Sequence, residues 1–232
     1  MSIIERFPAS PQPERRTGTP SSARRALNLR AKRLLDLLVA IPVLMFLSPL
    51  MAVVALLVKA TSRGPVLFHQ ERVGRDDAPF TMLKFRSMVV NDDDSALREA
   101  VRLELAGSRA GERGDSYKLA HDPRITRIGK LLRATSIDEL PQLFNVLRGE
   151  MSLVGPRPAL PWEAEQFPRE FRRRTDMPPG ITGLWQVSGR SMLSTLDMLR
   201  LDLEYADTWS LALDVRILVR TVPTLLRGDG AR

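Results

Sequence analysis

The chain has 232 residues, a formal net charge of +8 and no cysteine. That length suits one globular domain with appendages; the missing thiols exclude disulfides and thiolate metal sites, and two histidines leave little for zinc. Residues 1–33 hold eight Lys or Arg against two Glu, so +6 of the charge lies in that arm and the body carries +2, which argues against a basic groove for nucleic acid.

The first 28 residues are rich in Pro, Ser, Thr and Arg and poor in large apolar side chains, and residues 1–30 read as a disordered basic tail. No secretory signal fits at the start, because the apolar run comes late and is too long. From Leu37 to Val58, 22 residues pass without a charge. As a helix they cover about 33 Å, against a hydrocarbon core of about 30 Å. Arg24, Arg25, Arg30, Lys32 and Arg33 precede the run and Lys59 and Arg63 follow it, whereas a spanning helix keeps its positive flank on one side. Pro49, after Ser48, removes a backbone bond near the middle, and Pro42 adds a second weak point. On these physical grounds a straight span ranks ahead of a re-entrant hairpin, and a buried core helix comes last.

Next, Pro65–Gln70 and Phe80–Arg86 read as two strands around a Gly74-Arg-Asp-Asp77 turn. Lys84 and Arg86 share one strand face, where they meet either an anionic ligand or solvent. Asn91-Asp-Asp-Asp94 precedes a helical stretch, Ala96–Leu105, where acids ordinarily cap and solvate. Residues 106–118 read as a flexible loop.

Arg133-Ala-Thr-Ser-Ile-Asp138-Glu139-Leu-Pro141 then sets an adjacent carboxylate pair between two arginines, Arg133 and Arg157. A short apolar segment runs to Leu147, Gly149 closes it, and Gly155-Pro156-Arg157-Pro158 follows. One carboxylate could attack a phosphorus or hold a metal while the arginines neutralise phosphate charge. The same residues also fit a capping box, Ser136 as cap and Glu139 three residues on. Pro141 would then be the fifth helical residue, where its ring clashes, so the helix should start one or two residues later. Spacing alone leaves capping and chemistry both open.

Trp162 and Phe167–Phe171, interleaved with Glu and Arg and ending in Arg172-Arg-Arg174, suit either a helix at the lipid headgroups or a solvated one. Gly183–Arg190 reads as a turn-rich loop, and Leu196–Tyr205 and Leu211–Leu226 as helices, with Pro223 marring the last turns.

Together these blocks resemble the bacterial sugar transferase family, the monotopic polyprenyl-phosphate phosphoglycosyl transferases that initiate exopolysaccharide and O-antigen synthesis. The resemblance rests on Lys32-Arg33-Leu-Leu-Asp36, Ser48-Pro49, Gly64-Pro65, Gln70-Glu-Arg72-Val-Gly74 and Lys84-Phe-Arg86-Ser-Met88. It continues through Asp122-Pro-Arg124-Ile-Thr126, Ser136–Pro141, Gly155–Pro158, Pro179–Gly183 and Trp185-Gln-Val-Ser-Gly-Arg190. It implies an α+β, mostly helical monotopic membrane protein with a small β-hairpin and interfacial amphipathic helices. The membrane helix, residues 31–60, would be re-entrant with its break at Ser48-Pro49, which reverses the preference for a span. Residues 61–232 would form a catalytic domain on the cytoplasmic face of the bacterial inner membrane.

The resemblance further implies that Asp138 attacks the β-phosphate of a UDP-sugar, releases UMP and carries a covalent phosphosugar until polyprenyl (undecaprenyl) phosphate takes it. Magnesium would be held at Asp138 and Glu139, and Arg133, Arg157, Lys84, Arg86 and Arg190 become candidate phosphate and substrate ligands. The partners implied are the UDP-sugar, polyprenyl phosphate and membrane lipids, and the membrane-facing aromatics leave a surface through which a homodimer could form. Asp76-Asp77 departs from the family's usual turn, a glycine followed soon by a basic residue. The chain resembles the family's short form, with a Trp-Gln C-terminal extension. Two other readings stay in view: a glycosyl transferase that moves the sugar alone with Asp92–Asp94 on a metal, and a non-catalytic membrane scaffold.

Overall fold

The computed structural model describes residues 22–88, 98–99, 102, 124–189 and 193–227, with no side chains given for 22–26 and 225–227. The Asp92–Asp94 run, the 106–118 loop and Arg190 lie outside the described residues.

Helix α1, Ser22–Thr61, runs 40 residues, well ahead of the uncharged core at its start. Helical assignment continues through Pro42 and Pro49. Pro49 cannot donate to the carbonyl four residues back, Met45. Ser48 Oγ donates to that carbonyl at 2.9 Å instead. Around this point nearly every side chain is exposed, Phe46 to 84%.

The first half of α1 is held by polar groups at i, i+4 spacing on one face. Lys32 Nζ donates to Asp214 Oδ2 at 2.7 Å, Val154 O at 2.8 Å and Tyr205 Oη at 3.2 Å. Asp36 Oδ1 accepts from Ser152 Oγ at 2.9 Å and Leu153 N at 3.0 Å. Lys32 and Asp214 are both almost fully buried, a placement tolerable only because each has several partners. The second half of α1 buries Met51, Val54 and Val58 against Phe85, Leu132, Ile137 and Leu140. Both halves therefore pack on the same body.

Strands β1, Leu67–Val73, and β2, Pro79–Phe85, form the expected hairpin, antiparallel with Gln70 opposite Met82 and Phe68 opposite Lys84. Their turn is a 3₁₀ piece, Arg75–Asp77, with Asp76 at φ 54° and Asp77 at φ 60°. These left-handed conformations are ones that Asp tolerates better than most residues.

Helix α2, Arg127–Ala134, is capped by Thr126 Oγ1, which accepts from Gly129 N at 2.9 Å. A 3₁₀ turn, Ile137–Glu139, leads into α3, Gln142–Arg148, which Gly149 closes at φ 84°. The buried Asn145 on α3 accepts from Leu83 N at 3.0 Å and donates to Thr81 O at 2.7 Å, fastening α3 to β2.

Two three-residue strands, β3 Ser152–Val154 and β4 Gly180–Thr182, pair in parallel, an element the sequence analysis did not anticipate. Gly155 must be glycine here, because a Cβ would stand 2.2 Å from the Pro178 carbonyl. Helix α4, Pro161–Gln166, and a 3₁₀ stretch, Arg169–Asp176, occupy the region that suited either the lipid headgroups or solvent. Phe171 is 4% exposed and Arg174 is buried, so this segment turns a key aromatic and a key cation inward, away from lipid.

The loop expected at 183–190 holds a short helix, α5, Leu184–Ser188. Helices α6, Thr195–Thr208, and α7, Leu211–Arg227, close the fold. Tyr205, Ile217, Val146, Met151 and Val154 form the main core. On α7, Val215, Val219 and Val222 form an exposed apolar stripe at helical spacing. Among the described residues the architecture is mostly helical with two small sheets and one long apolar helix, as expected of a monotopic membrane protein.

Candidate active site

The carboxylate pair sits where chain geometry is forced. Ser136 follows α2 at φ 56°, a left-handed residue that reverses the chain, and makes no capping bond with its side chain. The capping box is therefore absent, and Pro141 stands at the N-cap of α3, where its missing N–H costs nothing. Asp138 lies between these constraints at 8% exposure, and Glu139 is half-buried beside it.

Burial pushes the Asp138 carboxyl up to about 6, and Glu139 adds to the rise, while Lys84 and Arg133 act in the opposite direction. Lys84 reaches across from β2 with Nζ 2.9 Å from Glu139 Oε1. It therefore orients one carboxylate and stabilises the charge of the other. Near pH 7 the ionised form of Asp138 still predominates. A dehydrated carboxylate of raised basicity, charged at working pH, suits nucleophilic attack.

Beside the pair opens a pocket walled by Arg72, Lys84 and Arg157, with Glu139, Gln142 and Gln186 and the backbone of Gly180 completing it. Three cations against one acid favour a multiply charged anion. The structure thus gathers Lys84, Glu139 and Arg157 around one space, with Asp138 adjoining it. Arg133 is near enough to act on the Asp138 charge, while its Nη1 lies 3.7 Å from Met88 Sδ. Arg157, on the Gly155–Pro158 loop, has its guanidinium 5.9 Å from the centre of the Trp185 ring.

Arg86 is placed elsewhere. It is 3% exposed and donates through Nη2 to the Ser62 carbonyl at 2.8 Å and Oγ at 2.7 Å. Its Nε and Nη1 are buried without a partner among the described residues. The group tethers the end of α1 to β2, away from the pocket.

Arg72, Gln142 and Gln186 line the pocket but were not among the expected site residues. Arg72 was within reach of pattern reasoning, since Gln70 and Arg72 occupy the hairpin face that carries Met82 and Lys84. Its guanidinium is braced by Gln70 Oε1 at 2.6 Å and the Pro158 carbonyl at 3.0 Å. No local signal marked Gln142 or Gln186.

A family model, described as bacterial sugar transferase, matches residues 27–228. The chain belongs to this family. Among its sugar transferase relatives is the UDP-galactose-lipid carrier transferase of Erwinia amylovora, 46% identical over 200 residues that make up 86% of this chain and 41% of the relative. The UDP-glucose:undecaprenyl-phosphate glucose-1-phosphate transferase of Caulobacter vibrioides is 42% identical over 89% of this chain and 73% of the relative. The exopolysaccharide production protein ExoY of Rhizobium meliloti is 38% identical over 91% of this chain and 92% of its own. The chain spans about two fifths of the length of the first of these relatives.

The donor set of this sugar transferase site suits magnesium. Mg²⁺ prefers hard oxygen ligands and is usually bound through one or two carboxylates completed by substrate phosphates and water. Asp138 and Glu139 supply two neighbouring carboxylates at the edge of a cationic pocket.

Proposed function

We propose that this sugar transferase moves a hexose-1-phosphate from a UDP-sugar to undecaprenyl phosphate, with Asp138 as the nucleophile. The observation that carries the reading is the buried Asp138, its carboxyl near 6, set between Lys84 and Arg133 at the edge of a pocket walled by three cations. A diphosphate in that pocket presents its β-phosphorus to the carboxylate. Asp138 forms an O–P bond to it, the bridging bond to the α-phosphate breaks, and UMP leaves with the bridging oxygen. A phosphate oxygen of undecaprenyl phosphate then forms its own bond to the same phosphorus, and the Asp138 bond breaks. Two displacements at one centre allow a soluble donor and a membrane-held acceptor to use the site in turn.

Arg72, Lys84 and Arg157 hold and neutralise the donor's phosphates, and Lys84 keeps Glu139 turned toward them. Magnesium bound at Asp138 and Glu139 would supply further neutralisation of the phosphate oxygens. Names among the relatives specify galactose and glucose, which supports a neutral hexose on the donor.

The membrane helix is read as re-entrant, with both its ends on the cytoplasmic face. This is supported by the docking of residues 32–36 and 51–58 on one body, with Ser48 and Pro49 exposed between them. A helix whose two ends grip the same domain cannot place those ends on opposite sides of about 30 Å of hydrocarbon. The exposed valines of α7 add an apolar face suited to the same leaflet.

The test is release of UMP from a panel of UDP-sugars by the detergent-solubilised chain, with undecaprenyl phosphate and magnesium, beside Asp138→Asn. Release with one sugar, lost in the variant, is expected. UDP as the product, or full turnover by Asp138→Asn, would overturn the reading.

A further inference from the structure

Behind the pocket lies a buried ion pair that the proposed chemistry does not use. Arg174, on the 3₁₀ stretch, donates to Asp202 Oδ2, on α6, through Nη2 at 2.5 Å and Nε at 3.2 Å. Both side chains are almost fully buried. Taking two charges out of water is costly, and a buried pair adds little net stability compared with apolar packing of the same volume. Its position is the informative point.

The same Arg174 Nη2 donates to the backbone carbonyl of Arg157 at 2.5 Å. Burial raises the Asp202 carboxyl above its ordinary value, while the Arg174 charge, and to a lesser degree Arg157, act in the opposite direction. Arg157 is therefore held at its backbone by a charge pair, and its guanidinium lies near the Trp185 ring, 5.9 Å from the centre. The Phe167 ring, 5.5 Å from the Arg174 guanidinium, limits Arg174 from yet another side. Arg157 is the exposed residue of an otherwise buried Gly155–Pro158 loop, and without this frame it would keep the rotamer freedom of any surface arginine.

We propose that Arg174 and Asp202 are positioning residues that fix Arg157 for recognition of the donor's diphosphate. The pair touches no substrate and acts only through the Gly155–Pro158 loop. Asp202→Asn removes the charge that holds Arg174. Arg174→Lys keeps a cation for Asp202 but lacks the planar fork needed to reach the carboxylate and the Arg157 carbonyl together. This inference rests on the pocket being a diphosphate site, and nucleotide binding tests it without requiring turnover.

The experiment titrates UDP with magnesium into the detergent-solubilised full chain by calorimetry, with melting curves recorded for each protein. Asp202→Asn, Arg174→Lys and Arg157→Ala are each expected to weaken UDP about tenfold or more. The double variant Asp202→Asn/Arg157→Ala should bind no worse than Arg157→Ala alone, because the pair works through that residue. Asp202→Glu should recover part of the loss. Two results overturn the proposal: unchanged UDP affinity in folded Asp202→Asn and Arg174→Lys, or losses that add in the double variant. Unchanged binding by Arg157→Ala would overturn it as well. Coupled UDP losses in a protein that turns over no UDP-sugar would uphold the positioning role and leave the transferase reading as the part that failed.

Discussion

Lys84 Nζ lies 2.9 Å from Glu139 Oε1, joining the β-hairpin to the turn that carries Asp138. The lysine is also the largest influence lowering the Asp138 carboxyl against its burial. Lys84→Gln should therefore raise the Asp138 carboxyl further and move the acidic limb of the kcat/KM profile above its wild-type position near pH 6. Turnover at pH 7 should fall about tenfold or more through lost phosphate neutralisation. A pH–rate series on the two proteins checks this, and an unmoved limb would remove Lys84 from control of Asp138.

Asp138 also makes a prediction about stability. Its carboxyl is raised in the folded chain, from 3.8 to about 6, so the native state binds its proton more tightly than the unfolded chain does. This group's contribution is therefore most favourable at low pH and declines as pH rises from about 4 to about 6, by about 3 kcal/mol in all. Asp138→Asn carries no such ionisation. It should melt higher than wild type at pH 7.5 while losing activity, and the gap should close as pH is lowered toward 4.

Arg86 and Arg157 should separate cleanly. Arg157→Ala is expected to raise the donor KM about tenfold or more with little change in melting temperature. Arg86→Ala removes buried bonds to Ser62 and should lower stability by about 1–3 kcal/mol while leaving the donor KM of the folded fraction unchanged. Steady-state kinetics with parallel melting curves decide it, and a KM effect in Arg86→Ala would return that residue to the site.

The topology of α1 is open to labelling, since the chain has no cysteine of its own. Leu27→Cys and Lys59→Cys place a single thiol at exposed positions near either end of the apolar run. An impermeant maleimide added to intact cells should reach neither, and both should react after lysis. Labelling of one end in intact cells is the signature of a span.

The parts legible in the sequence were those with a period or a turn signature. The hairpin was visible from alternation around Gly74, and α6 and α7 from helical spacing. The β3–β4 pair was not, because three-residue strands carry no usable period and pair here across intervening α4 and a 3₁₀ stretch. The aromatic and cationic mixture at 167–174 fits lipid headgroups and solvent equally, because composition does not reveal which way Phe171 and Arg174 turn. Asp202 settles that for Arg174, from a helix 28 residues on.

In the site, the pairing of Asp138 with Glu139 stood out by residue type alone. The left-handed Ser136 that presents it did not, since nothing in a serine marks positive φ. Lys84 and Arg86 looked alike as alternate residues of one strand. They differ because β2 ends at Phe85 and the end of α1 captures the second cation.

Arg33 donates to the carbonyls of Val146 and Leu147 at the end of α3, the latter at 2.7 Å, while the far half of α1 packs on Ile137 and Leu140 at the other side of the carboxylate turn. The segment bearing Asp138 is thus gripped between the two halves of one long apolar helix. On the re-entrant reading proposed above, bilayer thickness and lateral pressure would act on that grip, and a protein intact by its melting curve would be idle in a detergent that lets the two halves relax.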